Sequence, residues 1–410
     1  MANTINTIKN GPGLFAKGMA QTLKDNLKFC SFVEKADESE YDGANGYKSG
    51  DTIYTNIPQR KLVQEDNLDI TSLNKDVVEE KKPLVLNKSA TLADQFDSLE
   101  LATDVDVKNA LRRFGMPAAE GLAQQIESRC FSIAQNSIYN IAGTAGSSNF
   151  NVANIQAGRT KLNQNLAPMK DRMLFLDSEA GALAVDARKG LFQSSDKIKA
   201  QYEDGYMGRA DGFDWIETEL VNTHTNGSMG GTPLVDAAPS EGASAIHIDG
   251  VTSGNTYTKG TIITIAGVFM VHPITKVVSK NLQQFVVTAD TTFTGGESDV
   301  PVSPSLYAAS EGLRNINALP ADNAAVTVLT GAASTGYTQG IGLHKSAFKM
   351  VTVKLFTPKS EELVASETVD GITVNIVRFF DGNTRKVTTR YDVLYAFDEV
   401  RPEWGVRYTS

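Results

Sequence analysis

Partway along this chain the charge thins out and then returns, and that break constrains the fold more than any motif does. Residues 226–340 carry four basic residues (Lys259, Lys276, Lys280, Arg314) and eight acidic ones (Asp236, Glu241, Asp249, Asp290, Glu297, Asp299, Glu311, Asp322). That is 12 charges in 115 positions, about 10%, against 21% over the whole 410 residues. Gly, Ser, Thr and Ala rise in their place, and short β-runs appear at Ala245–Ile248, Thr261–Ala266, Gln284–Thr288 and Val326–Leu329. Short strands between frequent turn signals suit a small barrel or sandwich. From Phe348 to Leu355 the sequence alternates again and resumes the charged style of the first half. A chain this long usually exceeds one core. Interruption followed by return therefore predicts an inserted β-domain within an α+β protein.

Around the insertion the periodicities are mixed. Phe15, Met19, Leu23 and Leu27 recur every four residues, which predicts an amphipathic helix within 14–33, led by the punctuation Gly11-Pro12-Gly13. Asp51–Ile57 alternates like a strand. Residues 58–86 show no helical period, and within 60–82 five bases stand against six acids. This stretch reads as a solvated hairpin or as an arm lying on a neighbouring subunit. Thr103 with Asp104 and Asp106 marks a helix start. A longer helix is predicted from Pro117 to Ala142, with Leu122, Ile126, Cys130, Ile133, Ile138 and Ile141 on one stripe and Gly143 as the stop. Its stripe is expected to face the closing strands near Val393 and Tyr395. Residues 150–222 read as α/β: a helix from Val152 to Leu166, a buried strand Met173–Leu176, a helix capped by Asp177-Ser178-Glu179, then Gly-punctuated loops ending in a strand.

The chain closes on two alternating strands around Asp381-Gly382, with Ile372, Val374 and Ile376 on one face of the first. Val387, Thr389, Tyr391, Val393, Tyr395 and Phe397 share a face of the second, and Arg401-Pro402-Glu403-Trp404-Gly405 follows. Asp-Gly favours a tight hairpin, because Gly accepts positive φ without steric cost.

Catalytic signals are scarce. The histidines, His224, His247, His272 and His344, are scattered and fall in no metal-ligand spacing. No G-x-S-x-G nucleophile elbow occurs, and Gly205-Tyr-Met-Gly208 lacks a phosphate-binding fingerprint. Asp204, Asp211 and Asp214 share a loop without the ligand spacing of a calcium hand. Trp215 and Trp404 read as packing residues. Cys30 and Cys130 cannot form a disulfide framework and read as reduced, partly buried thiols. A net charge of −9 argues against a DNA-gripping surface. The start MANTINTIKNG has no apolar core of signal length, and the longest apolar run, Ile265–Val271, is far short of the ~20 residues that span a bilayer. A reducing, soluble compartment is expected, with no catalytic residue, metal or cofactor.

In order and wording, the chain resembles the major coat protein of short-tailed double-stranded-DNA bacteriophages. The matching phrases are Asp51-Thr-Ile-Tyr54, Gly212-Phe-Asp214, Lys259-Gly260 through Ile265-Ala-Gly-Val268, and Leu394-Tyr395 to Glu403. That family has a Hong Kong 97-like capsid fold with a β-barrel domain inserted in the middle. The resemblance implies an N-terminal arm (1–45), an extended loop (46–92), a peripheral domain with the spine helix (93–145), an axial domain (146–225), the inserted barrel (226–340) and closing strands (341–410). It also implies pentamers and hexamers of one chain in an icosahedral shell, assembled in the host cytoplasm as a procapsid that expands as DNA enters. The partners implied are a scaffolding protein, a portal protein and double-stranded DNA enclosed without sequence reading. Arg60, Lys61, Glu65, Asp66, Glu79 and Glu80 would make the inter-subunit contacts of the extended loop. Lys17, Lys24 and Lys28 would be candidates for scaffold contact. The segment Asp236–Glu241 is shorter than the family's inter-capsomer loop.

Two other classes fit parts of the sequence. A tail-associated or secreted carbohydrate-binding β-protein would use the Thr/Gly-rich segment and the two tryptophans; a hydrolase would need a site outside known motifs. The composition break also makes a prediction of its own. Residues 226–340, expressed alone, should give a soluble β-rich monomer with a cooperative melt. A random-coil circular dichroism spectrum would remove the insertion.

Overall fold

The computed structural model describes residues 11–35, 51–57, 80–97, 114–147, 150–187, 208–309, 313–355, 363–384 and 386–409. They fall into two compact units. One combines residues 1–57, 80–130 and 349–398, and the other 58–79, 131–348 and 399–410.

The first unit is built on the long strand Lys386–Glu399. On one side it pairs with Ile372–Asp381, from Asp381↔Lys386 to Asn375↔Asp392. On the other it pairs with Lys88–Asp97, from Lys386↔Asp97 to Tyr395↔Lys88. Leu363–Val369, Phe348–Val353 and Glu34–Lys35 complete this six-stranded sheet. The expected one-faced alternation is absent at its centre. Leu394 and Ala396 are as buried as Val393, Tyr395 and Phe397, so both faces of the closing strand are covered. Asp392 tolerates burial because its carboxylate accepts from Thr91 Oγ1 at 2.6 Å and pairs with Arg390 at 2.7 Å.

The hairpin forms where expected but for a different reason. Gly382 does not adopt a positive φ. The turn is held instead by Asp381, whose carboxylate accepts from Asn383 N at 2.9 Å and Thr384 Oγ1 at 2.7 Å.

Helix α1 (Gly11–Asn26) begins earlier than its punctuation suggested, since Gly11-Pro12-Gly13 forms its first turn, where a proline costs nothing. It buries Ala16, Met19, Ala20 and Leu23, and Phe15 stacks on Tyr391 at 6.4 Å between centroids. Helix α2 (Lys28–Phe32) follows and sets Phe29 5.7 Å from Phe397. Its first turn is capped from elsewhere in the chain, because Glu127 accepts from Phe29 N at 2.6 Å. Cys30 and Cys130 are both free and buried, and burial raises the Cys30 thiol well above its ordinary range.

Helix α3 (Met116–Ser137) contributes residues up to Cys130 to the first unit and the rest to the second. Leu122, Ile126 and Cys130 are buried as expected, whereas Ile133 is half-buried and Phe131 and Ala134 take the core positions. The helix stops five residues short of the expected Ala142. Tertiary pairing overrides the periodic pattern there. Asn140 donates to the carbonyls of Glu403 and Gly405, and Ile141–Ala142 joins a sheet instead.

That sheet, in the second unit, has seven strands. Its order is Ile141–Ala142, Gly405–Thr409, Gly336–His344, Arg172–Leu176, Phe213–Glu217 and Arg209–Ala210, with Thr223–Thr225 also on Gly336–His344. Helix α4 (Val152–Gln164), capped by the Asn151 side chain, and helix α5 (Ser178–Asp186) belong to the same unit. Asp177 stands at the α5 N-cap without a side-chain cap bond. Gly158 lets α4 close on the sheet, because a Cβ there would overlap the Tyr408 ring.

Residues 231–328 of this unit form a separate six-stranded antiparallel sheet, ordered Gly231–Val235, Ala245–Val251, Ser298–Ser303, Val278–Val287, Ile262–Val271 and Val326–Val328. Its two outer strands meet. Leu234 bridges Ala325, Val235 N donates to Ala324 O at 3.0 Å, and Asn323 N donates to Val235 O at 2.8 Å. Ile246, Ile248, Ile263, Ile265, Phe285 and Val287 fill its own core. Position 340 lies inside the strand Gly336–His344, so the change in composition and the change in sheet do not coincide.

Glu127 gives the first unit a pH signature. Burial lifts its carboxyl to about 7, above the ordinary 4.5, against the lowering effect of the backbone donors at Phe29, Cys30 and Lys28. A raised acid pKa means that the folded chain keeps a proton the unfolded chain has lost. The resulting stabilisation is full below pH ~4.5 and is gone above ~7, a swing of up to roughly 3 kcal/mol. Denaturant titrations of the wild type and Glu127→Gln at pH 5 and pH 8 should show the wild type losing stability relative to the variant. Parallel curves at the two pH values would mean that no ionised carboxylate is being buried.

Candidate functional site

The residues expected to make inter-subunit contacts divide between described and undescribed positions. Arg60, Lys61, Glu65, Asp66 and Glu79 lie outside the described residues, and Glu80 opens the strand Glu80–Val85. The stem that carries the charged loop is described in full. Thr52–Ile57 pairs with Glu80–Val85 over six antiparallel positions, from Thr52↔Val85 to Ile57↔Glu80. Ile53 and Leu84 anchor it against Val351, Val353, Leu394 and Ala396, and Lys349 Nζ donates to Thr55 Oγ1 at 2.7 Å. Its other face is open, with Tyr54 59% exposed.

Of the three lysines on the first two helices, Lys17 and Lys28 are exposed. Lys24 is committed within the chain: it pairs with Asp370, which raises the lysine and lowers the carboxylate.

The histidines occupy four unlike settings. His272 Nδ1 accepts from Thr275 N at 3.0 Å and closes a turn. His344 Nδ1 accepts from Ser346 N at 3.1 Å, and its ring meets Trp404 edge-on at 5.2 Å. His247 lies on the surface of the six-stranded sheet among three carboxylates from two strand ends. Its Nδ1 is 2.8 Å from Asp299, and its Nε2 is 3.6 Å from Asp236 and 4.0 Å from Glu297, so its pKa is raised, chiefly by Asp299. Asp236, His247 and Glu297 place three potential ligand atoms within 4.8 Å of one another. Register alone assembles this group, which is why sequence spacing missed it. Of the loop carboxylates, Asp211 accepts from Gln156 at 2.6 Å, Asp214 faces Arg209 at 4.0 Å, and Asp204 lies outside the described residues. Trp215 is 7% exposed and donates to Ala210 O; Trp404 donates to Asn165 O and stacks under Arg401.

His224 marks the most unusual place in the chain, the neck at which the six-stranded sheet leaves the seven-stranded one. The outgoing residues Thr223–Thr225 and the returning residues Gly336–Thr338 pair directly, with His224 opposite Tyr337. Two positions further on, Gln339 pairs with Thr409, and Ile341 with Arg407. Side chains alternate along a strand, so His224, Gln339, Thr409 and Arg407 share one face. All are buried, and Arg407 is fully so. Its Nη1 donates to Gln339 Oε1 at 3.2 Å and its Nη2 to the Gly260 carbonyl at 2.7 Å, tying the C-terminal strand to the β unit. Helix α3 joins through Gln135, which donates to Gln339 Oε1 and to the Asn222 carbonyl. Asn226 Nδ2 donates to the carbonyls of Thr330 and Ala332. Gly260 is at φ +92°, and a Cβ there would strike Asn136 and crowd His224. Among the described residues no carboxylate pairs with Arg407. Burial pushes its guanidinium down to about 9, and burial plus the Arg407 charge push His224 down to about 4.

The family model described as "P22 coat protein - gene protein 5" matches residues 14–409. Among curated proteins there is no match. Similar solved structures include one from Mycobacterium phage Che8, 11% identical, covering 93% of this chain and 90% of that one at a TM-score of 0.43. The capsid of Ralstonia phage GP4 is 6% identical, with coverage of 92% and 87% and a TM-score of 0.45. The CUS-3 coat protein I-domain is 28% identical over 27% of this chain and 99% of its own length, at a TM-score of 0.18.

The neck titrates opposite in sign to Glu127. A histidine held near 4 when folded and near 6.5 when unfolded gives stability that is full above pH ~6.5 and lost as pH falls through ~4, again up to roughly 3 kcal/mol. His224→Gln should therefore lose less stability than the wild type between pH 7 and pH 4, read by tryptophan fluorescence. An identical acid profile in both proteins would place the proton uptake elsewhere.

Proposed function

The chain belongs to the P22 coat protein family, and from that membership we propose how its parts divide the work of building a shell. It is the major capsid protein of a tailed phage, a non-enzymatic structural component of the virion, and many copies form the icosahedral head. The family match across 14–409 carries that statement.

The finer reading is ours. Pentamers and hexamers of the chain assemble on a scaffolding protein in the host cytoplasm, leave one vertex to a portal protein and expand when double-stranded DNA enters. The frame is Hong Kong 97-like, and residues 226–340 are a small barrel inserted into it. The meeting of Gly231–Val235 with Ala324–Ala325 supports the barrel, and the pairing of His224 with Tyr337 supports the insertion. Residues 46–92 are the extended loop, which has a stiff two-stranded stem and a charge-mixed end suited to lying across a neighbour. Residues 93–145 form the peripheral domain around α3, residues 146–225 the axial domain, and 341–410 close both. Lys17 and Lys28 are the better candidates for scaffold contact, because Lys24 already has Asp370.

Shells of many copies anneal when each contact is weak, ~4–8 kcal/mol by millimolar-to-micromolar arithmetic. Exposed opposite charges suit this, at ~0.2–1 kcal/mol per pair. Coexpressed with its scaffolding protein, the chain should give closed shells of uniform diameter in negative stain. The double variant Arg60→Glu, Lys61→Glu should leave the subunit's melting temperature nearly unchanged yet slow or misdirect assembly, more so at low salt. Normal assembly of that variant at every ionic strength would leave the loop merely solvated, and no particles from the wild type would sink the assembly scheme.

A further inference from the structure

The neck holds a cation that nothing in it neutralises, together with a surplus of hydrogen-bond donors. Among the described residues, eight buried side-chain atoms have no hydrogen-bond partner, and six belong to this neck. Three of them stand together and can donate, Arg407 Nε, Gln339 Nε2 and Thr409 Oγ1, whereas the His224 ring hydrogen-bonds the Asn226 side chain. Asn226 Oδ1 can only accept.

The side chains concerned are 0–5% exposed. Register brings these three together: Gln339 faces Thr409 across one pair of strands, and Arg407, two residues before Thr409 on the same face, donates to Gln339 Oε1. An unpaired buried donor destabilises a fold, and an uncompensated buried charge does so more strongly. A chain would not leave three such donors together, one of them on a lone guanidinium, without something to receive them. A water accepts at most two hydrogen bonds, fewer than these donors offer, and brings no charge to the guanidinium. A monatomic anion accepts from every side and neutralises the guanidinium as well. Complete burial excludes carboxylate or phosphate ligands, whose remaining bulk would need a way out to solvent.

We propose that the neck is a binding site for a small monatomic anion of the halide class, held by Arg407, Gln339 and Thr409. The bound anion joins the strands Gly336–His344 and Gly405–Thr409 and holds in place the guanidinium that reaches the Gly260 carbonyl. It is thus a fastener of the β unit to the seven-stranded sheet.

The test uses the full chain in sodium chloride against sodium methanesulfonate at equal ionic strength. Chloride should raise the melting temperature by about 3 °C, and above half-saturation of the site the rise should follow the logarithm of its concentration. The ³⁵Cl resonance of free chloride should broaden in the presence of the wild type, and bromide should compete the broadening away. Thr409→Val removes one unpartnered donor and no existing bond, and should weaken the chloride effect severalfold. Gln339→Glu supplies a permanent carboxylate to Arg407. It should abolish both the broadening and the chloride dependence while melting no lower than the wild type in methanesulfonate. Should either variant fail to fold, the wild-type broadening and its bromide competition decide alone. Equal melting in both salts with no ³⁵Cl broadening would mean that water serves these donors and would overturn the site. So would a chloride effect that survives unchanged in Gln339→Glu.

Discussion

A guanidinium without an acid beside it sets the terms for the second unit. Arg407 is fully buried, and its two bonded nitrogens reach Gln339 on one strand and the Gly260 carbonyl on the β unit. Because a stranded charge is so expensive, every element around it must stay in place. Gly260 keeps its positive φ so that its carbonyl can be reached, α3 ends at Ser137 with Gln135 aimed into the site, and the two crossing segments remain paired. The neck is a polar core, and polar cores are less forgiving of rearrangement than apolar ones.

The broad plan was legible in the sequence. The loss of charge between 226 and 340 located the β-rich region, and each short β-run there falls in or across an observed strand. Period-four spacing located α1 and most of α3. The failures have a common cause, which is that local pattern was overridden by distant partners. Ile141 continues the helical stripe, yet Asn140 and the strand Gly405–Thr409 draw it into extended chain. Asp381-Gly382 did make a hairpin, but through the aspartate side chain and not through glycine's freedom. The neck residues left almost no signal. His224, Gln339 and Arg407 lie far apart in sequence, and only an arginine in the otherwise uncharged run Gly405–Thr409 hinted that one strand face was not ordinary core.

Two buried ionisable groups divide the pH response between the units. Glu127 makes the first unit less stable as pH rises through neutrality, and His224 makes the second less stable as pH falls toward 4. Over the interval in which both titrate the slopes are opposite, so a whole-chain measurement would look flatter than either unit. Only the single-residue variants separate them.

The place of Gly405–Thr409 in the seven-stranded sheet also has a consequence for synthesis. This strand lies between Ile141–Ala142 and Gly336–His344, although it is translated after both. At 5–20 residues per second, roughly 3–13 s pass between the emergence of residue 344 and that of residue 409. Throughout that interval both neighbours present bare backbone edges, and the core side of Tyr408 is missing from beneath α4. An open edge is a template for another chain. On a polysome crowded with copies of one abundant coat subunit, the nascent chain is therefore most exposed to the wrong partner just before its last strand closes the sheet.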